Sequence, residues 1–302
     1  MDKPTLVILA AGLGSRYGGL KQMAPVDDNG NIIIDYSLYD AYRAGFRDVV
    51  CVINPKYESD FKEHFADISK KMNIVYAHQM LDLLPSGYNV PAGREKPWGT
   101  AHATLAAMPY VNGSFVVINA DDFYGSGAYK LAYDFLTKNT LPTHHAMVGY
   151  NVENTLTESG FVSRGVCNVQ NGTLTEVVER TKIRPATDGA EFTEDDTTFT
   201  FLPNGTIVSM NMWAFGHGIL KEIEARFANF LQNNLEANPL KCEYFLPMVV
   251  GDVITENQAM VKVLPTVDKW YGVTYPEDMP NVQKALANLR LNGSYPNILW
   301  EA

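Results

Sequence analysis

The stretch from Ala10 to Gln22 reads AAGLGSRYGGLKQ and follows an apolar run, Thr5 to Leu9. A strand that opens into a loop of four glycines and two cations is shaped to receive a phosphorylated ligand. Residues without a Cβ let backbone amides turn through unusual dihedrals and come close to phosphate oxygens. Arg16 adds a planar fork that matches phosphate geometry, and Lys21 adds a mobile point charge. GxG spacing alone is shared with dinucleotide-binding folds and with ordinary βα turns. The dinucleotide fingerprint asks for another glycine where Tyr17 stands, and for an acid at the end of the second strand. Here the run Asp48 to Ile53 is followed by Asn54 and Pro55, so a nicotinamide site is disfavoured.

Outward from this loop the pattern alternates. Helical spacing covers Asn31 to Ala44 and Ser59 to Met72, with strands at Val49 to Ile53 and Ile74 to Ala77. This β-α-β-α-β rhythm predicts a mainly parallel sheet with ligand loops at the strand C-termini. Met80 to Pro97 is irregular and rich in proline and glycine, and WGTAHATLAAM from Trp98 to Met108 resumes as helix. Further on, short strands with turn signals appear at His145 to Val152, Gly165 to Val169 and Leu174 to Arg180, with Asn171-Gly172 marking a hairpin. The acidic, turn-rich segment Ala186 to Thr198 reads as a mobile loop or part of a lid. Ile207 to Phe215 and Ala259 to Leu264 read as strands, and Gly218 to Gln232, Tyr244 to Val253 and Pro276 to Asn292 as helices.

The strand Ser114 to Asn119 runs into Asn119-Ala120-Asp121-Asp122. Two acids at the carboxyl end of an apolar strand are poorly explained by packing, because desolvating them beside Val116 to Ile118 is costly. A hard cation explains Asp121 well, since Mg²⁺ takes one or two carboxylates and completes its shell with water and phosphate oxygens. Asp122 is left as an outer or surface acid.

Composition narrows the class. With 302 residues and 46% hydrophobic content the chain is long enough for a large α/β core. No window reaches membrane-spanning length, and the three cysteines, Cys51, Cys167 and Cys242, lack metal-type spacing, as expected of reduced core thiols in a cytoplasmic protein. A net charge of −10 argues against a nucleic-acid partner. Self-association stays open.

The run AAGLGSR followed by Lys21-Gln22 resembles the signature of the sugar-phosphate nucleotidyltransferases, which includes the glucose-1-phosphate thymidylyltransferases and uridylyltransferases. The resemblance covers most of residues 5 to 275. It implies a three-layer nucleotide-binding α/β sandwich with a mainly parallel central sheet and a small antiparallel acceptor-binding part. It also implies one domain over 1–302, with a nucleotide half (1–125), a sugar-phosphate half (126–275) and a C-terminal helix (276–302). The substrates it implies are a nucleoside triphosphate and a sugar-1-phosphate, with Mg²⁺ as cofactor.

Residue by residue, the resemblance puts Ala10, Ala11, Gly12, Gly14 and Ser15 around the nucleotide, Arg16 and Lys21 on its phosphates, and Gly99 and Thr100 against its base. Gln79 is the base-reading candidate; a solvated strand-end amide is the alternative. The family's "GD" metal motif falls on Asp121. Its "EKP" triplet falls on Glu179, Arg180 and Thr181, giving Glu179 to sugar hydroxyls and Arg180 to the phosphate. The proline is missing, Lys182 competes as the inward cation, and ERTKIR also reads as a solvated charge run. Asn211 matches an asparagine placed against the hexose, or pairs with a neighbouring loop. The family carries a second metal-binding acid after a tryptophan; no acid follows Trp270, which leaves Asp268 as the substitute. In this chemistry the acceptor phosphate is its own nucleophile, so no histidine is required, and His102 among others reads as structural or solvated. A nucleotide-binding regulator without turnover and a glycosyltransferase of similar architecture are the rival readings.

Overall fold

In a computed structural model, residues 3–12, 21–139, 141–157, 160–273 and 276–301 are described. The first half runs β1 (Thr5–Leu9), α1 (Ile33–Ala44), β2 (Asp48–Ile53), α2 (Glu58–His64), β3 (Asn73–His78), α3 (Thr100–Ala107), β4 (Phe115–Asn119), β5 (Asp122–Phe123) and α4 (Ser126–Lys138). The second half adds β6 (His144–Asn151), β7 (Val162–Gln170), β8 (Thr173–Ala186), β9 (Gly189–Thr193), β10 (Phe199–Pro203), β11 (Ile207–Phe215), α5 (Ile219–Asn234), α6 (Leu246–Thr255), β12 (Met260–Thr266), β13 (Tyr271–Gly272) and α7 (Met279–Leu291).

Alternation along the central strands creates three layers. Leu6, Ile8, Val116 and Ile118 pack on one face with Leu38 and Ala41 of α1 and Ala128 and Ala132 of α4. Val7, Phe115 and Val117 face the other way, against Ala101 of α3, Ile223 and Phe227 of α5 and Val249 of α6. The strands form one eleven-stranded sheet, in the order β10-β9-β8-β12-β6-β11-β4-β1-β2-β3 with β7 joined to β11 and β8, and β5 pairs with β13 apart from it. Within it β4, β1, β2 and β3 are mutually parallel, so the first half of the chain has the alternating topology its periodicity called for. β11 then runs antiparallel to both β4 and β6, and the antiparallel strands of the second half extend the same sheet.

Two expectations change. The helix expected from Ser59 to Met72 ends at His64 and gives way to tighter turns, although Phe61, Phe65, Ile68 and Met72 remain buried at helical spacing. The segment expected to be a mobile acidic loop contains β9, which pairs with β8 on one side and with the unanticipated β10 on the other. Its acids answer the cations of β8: Arg180 with Glu194, Lys182 with Asp196 at 2.5 Å, and Arg184 with Glu191 at 2.6 Å. The run ERTKIR and the acidic stretch are therefore two sides of one hairpin. The Asn171-Gly172 turn forms as read, with φ of 51° and 75°.

The C-terminal segment closes over α1. Val282, Leu286, Tyr295 and Leu299 bury themselves with Ile33, Tyr36 and Phe123. Asp40, only 1% exposed, accepts a hydrogen bond from the Tyr295 hydroxyl at 2.5 Å, and its Oδ1 has no partner among the described residues. Burial pushes its pKa up to about 7, with the Tyr295 hydrogen bond opposing and the nearby charge of Asp268 adding to the rise. The folded chain thus holds a proton that the unfolded chain releases near pH 4, so stability should fall as pH rises from about 4 to 7. Asp40→Asn should remove that fall. In urea titrations, wild type should lose about 1 kcal/mol or more relative to the variant between pH 5 and pH 8. An unchanged difference would show that Asp40 ionises as readily in the fold as outside it.

Candidate functional site

β1 and β4 are neighbours whose chains leave in different directions, which is where an open α/β sheet leaves a crevice for ligand. Their last paired residues are Leu9 and Asn119, and the Ala120 amide donates to the Leu9 carbonyl at 3.2 Å. At this point lies a cavity of about 690 Å³. Ala11, Gly12, Gln22 and Asp121 line its inner end, Gln79, Gly99 and Thr100 its side, and Lys96, Lys241 and Glu243 its outer wall. Of the residues singled out from the sequence, Ala11, Gly12, Gln79, Gly99, Thr100 and Asp121 thus meet in one cavity. Ala10 is buried just below, its amide donating to the Val52 carbonyl at 2.8 Å. Gly14, Ser15 and Arg16 lie outside the described residues; Lys21 opens a short 3₁₀ turn, Lys21–Met23, and its side chain lies outside them too.

Gln22 follows in that turn. Its Nε2 donates to the Gly12 carbonyl at 3.1 Å, tying this turn to the chain that leaves β1, while its buried Oε1 has no partner among the described residues. On the other side of the inner end, Asp121 leaves β4 and is only half-buried. The Val273 amide, after β13, donates to its carbonyl at 3.3 Å, so β13 helps hold this loop. Asp122 is not a surface acid. It is buried, and its Oδ2 accepts from Asn119 Nδ2 at 2.9 Å and from the Tyr124 hydroxyl at 3.3 Å.

That network reaches Asn211. Its Nδ2 donates to Asn119 Oδ1 at 2.8 Å, and its Oδ1 accepts from Trp213 Nε1 at 2.8 Å. The residue sits at φ 61°, where the pairing of β11 with β6 slips between Ser209 and Trp213. An asparagine tolerates this left-handed backbone better than most residues, and the bulge it makes turns its amide toward the end of β4. Asn119, rather than Asn211, lines the cavity.

The structure gives two other residues different employment. Asp268 was the candidate second metal ligand, but its Oδ2 accepts from the Ala128 amide at 2.8 Å and from Thr266 Oγ1 at 2.9 Å. It caps the first turn of α4, whose unpaired amides favour a carboxylate. Gly125 and Gly127 make room for it, since a Cβ on either would come within 2.7 Å and 2.6 Å of its carboxyl group. Arg180, expected on the acceptor phosphate, pairs with Glu194 and stacks over Phe192 with 4.6 Å to the ring centre. Neither lines the cavity. Glu179 is adjacent in β8, opposite Gly165 of β7, and also outside the cavity lining. Its edge is exposed, yet the protein around its carboxyl raises its pKa, against the pull of Arg164.

Three further side chains are tied in by contacts that the sequence does not reveal. Arg94 is 4% exposed; it stacks 3.4 Å over Trp98 and donates to the carbonyls of Pro239 and Cys242, each at 2.7 Å. It ties the loop before α3 to the segment before α6, and an ion pair between Lys96 and Glu243 repeats the tie at the rim. Arg164, on β7, is buried over Trp270, with its pKa lowered to about 10 by burial. His102, on α3, stands between Gln79 and the Leu83 carbonyl. A lone arginine in a loop and a histidine in an alanine-rich helix carry no local signal of these contacts.

Among the described residues no group of three His, Cys, Asp or Glu side chains stands together as a metal cluster. What the cavity does offer is one strand-end carboxylate, Asp121, together with Ala11 and Gly12 just after β1. That set suits a hard cation that completes its shell with water and ligand phosphate, and not a softer metal that asks for several protein ligands. No helix of the described residues is long and apolar enough to cross a membrane.

Comparison with known proteins agrees with this geometry. A search of curated proteins returned no match. Among solved structures, the inositol-1-phosphate CTP transferase from T. maritima is similar over 96% of this chain and 97% of its own, with a TM-score of 0.64 and 12% identity. A protein from Bacillus anthracis assigned as a glucose-1-phosphate thymidylyltransferase, in complex with a sucrose, is similar over 94% of each chain, with a TM-score of 0.60 and 14% identity. At such identities the likeness is one of fold, and it is the α/β fold described above. The profile of the Nucleotidyl transferase family matches residues 5–271, nearly the whole chain, and the protein therefore belongs to that family of enzymes.

Proposed function

We propose that the protein is a Mg²⁺-dependent nucleotidyltransferase that joins a nucleoside triphosphate to a sugar-1-phosphate, or to another phosphorylated alcohol, and releases pyrophosphate. The observation that carries this reading is the meeting of Ala11 and Gly12, just after β1, with Asp121 in one cavity at the divergence of β1 and β4. In the reaction an oxygen of the acceptor phosphate bonds to the α-phosphorus. The bond from that phosphorus to the bridging oxygen breaks, and its electron pair leaves with pyrophosphate. The acceptor phosphate is already an anion near neutral pH, so no protein base is needed, and alignment with charge relief becomes the enzyme's task.

Asp121 would hold the magnesium ion, which supplies charge neutralisation to the phosphates when bound. Gly12 and the loop after it would present backbone amides to the triphosphate, with Arg16 drawing charge from the leaving pyrophosphate and Lys21 steadying the reacting phosphates. Gln79 and Gly99 would receive the base on the side wall. Glu179 and Asn211 would serve the acceptor end, Asn211 through Asn119.

The test is pyrophosphate release from ATP, CTP, GTP, UTP and dTTP, each against a panel of sugar-1-phosphates, inositol-1-phosphate and phosphocholine, with Mg²⁺ and with EDTA. One pairing should exceed the others at least about tenfold, and EDTA should abolish it. Binding of a nucleotide without turnover across the whole panel would favour a regulatory protein instead.

A further inference from the structure

We propose that His102 is a positioning residue for nucleotide selection: it locks the Gln79 amide so that only Oε1 faces the cavity. A base is then accepted if it presents an N–H at that point. The inference rests on the reading of the cavity as a nucleotide site and goes beyond it, because it assigns the selectivity to a residue that need not touch the nucleotide.

Four atoms in a row carry it. The Leu83 carbonyl lies 2.8 Å from His102 Nε2. His102 Nδ1 lies 3.0 Å from Gln79 Nε2, and that nitrogen lies 3.1 Å from the Gly99 carbonyl. Both ends of the chain are carbonyl oxygens, which only accept. Nε2 of His102 must therefore carry the hydrogen, and Nδ1 of a neutral ring is left as an acceptor. The amide nitrogen of Gln79 consequently spends both hydrogens, one on His102 and one on Gly99. A flipped amide would set its oxygen against two acceptors.

The surroundings keep the ring neutral. His102 is fully buried on α3, with its ring centre 5.2 Å from that of Phe227. Burial, helped by the nearby Arg94 charge and opposed by the Leu83 hydrogen bond, lowers its pKa to about 4. Gln79 itself is fixed at the end of β3, its own amide donating to the Ile53 carbonyl at 3.1 Å, and it lines the cavity.

An unlocked glutamine turns either way and serves base edges of either polarity. A locked one offers an acceptor, which suits N3–H of uracil or thymine and the exocyclic amino group of cytosine, and it opposes an edge that brings an acceptor to the same point. One mismatched buried hydrogen bond is worth about tenfold in affinity.

The test uses the full chain with Mg²⁺ and ATP, CTP, GTP, UTP and dTTP as probes in isothermal titration, so that no acceptor need be known. Wild type should discriminate among the five. His102→Phe, which keeps an aromatic ring but no acceptor, should reduce that discrimination by about tenfold, and His102→Asn, whose Oδ1 can still accept from Gln79, should retain it. Nitrogen-15 spectra of histidine-labelled protein at neutral pH read the same feature without any ligand: His102 should be the Nε2–H tautomer with Nδ1 accepting. The Nδ1–H tautomer, or an unchanged profile in His102→Phe beside a selective wild type, would overturn the lock while leaving the nucleotidyltransferase reading intact. Should wild type bind none of the five nucleotides, both readings fall together. If His102→Phe does not fold, the tautomer and the His102→Asn profile still decide.

Discussion

Asp121→Asn should cut kcat by on the order of 10²-fold or more while leaving the melting temperature within a few degrees of wild type. The substitution is nearly isosteric. It keeps the backbone carbonyl that receives the Val273 amide, so the pairing of β13 with β5 should survive. What it removes is the negative charge at the inner end of the cavity, and with it the strand-end group suited to a hard cation. Raising the Mg²⁺ concentration should restore part of the activity if the loss is one of metal affinity. Full turnover in this variant at ordinary Mg²⁺ would remove Asp121 from the chemistry, and with it the mechanism proposed above.

Gly99→Ala should be the most disruptive small substitution in the cavity wall, costing about 3 kcal/mol or more of stability. Gly99 adopts φ 100° and ψ −178°, a region that residues with a Cβ almost never enter. There is also no room. A Cβ would stand 2.6 Å from the Tyr244 carbonyl oxygen and 2.8 Å from its nitrogen, and backbone does not swing aside as a side chain does. The contact it would break is a short zipper. Tyr244 N donates to the Trp98 carbonyl at 2.6 Å, Ala101 N to the Tyr244 carbonyl at 2.9 Å, and Leu246 N to Thr100 Oγ1 at 3.0 Å. Thr100 thus spends its hydroxyl as an acceptor at the start of α6. Parting these strands would also displace the Gly99 carbonyl that holds Gln79, so nucleotide affinity should fall with stability. Gly93→Ala is the control: Gly93 also has positive φ, at 78°, but nothing lies within 4 Å of its added Cβ. It should cost only about 1 kcal/mol. Denaturant titration of the pair separates the steric contribution from the dihedral one, and equal losses would show that the Tyr244 backbone yields.

Much of the first half of the chain was legible in the amino-acid order, because its signals are local. Period-two and period-3.6 patterns placed β1 to β4 and α1, and the paired acids after an apolar strand located the inner end of the cavity at Asp121. Turn chemistry placed the Asn171-Gly172 hairpin for the same reason. The second half was read less well wherever a charge was involved. An acidic, turn-rich segment looks the same whether it is solvated or faces a row of cations, and only the pairing of β8 with β9 distinguishes the two.

The amino-acid order by itself determined that a glycine-rich stretch with two cations follows the first strand and that a carboxylate ends a later one. Tertiary structure alone decided how the other polar groups are used. Asp268 spends its carboxylate on an amide 140 positions away in the chain, and Arg94 reaches a carbonyl 148 positions away. Arg180 finds Glu194 across a hairpin, and His102 finds Gln79 and the Leu83 carbonyl. The physical reason is that a buried polar group must be paired but can be paired by many partners. Residue type states the need, and only the folded chain supplies the neighbour.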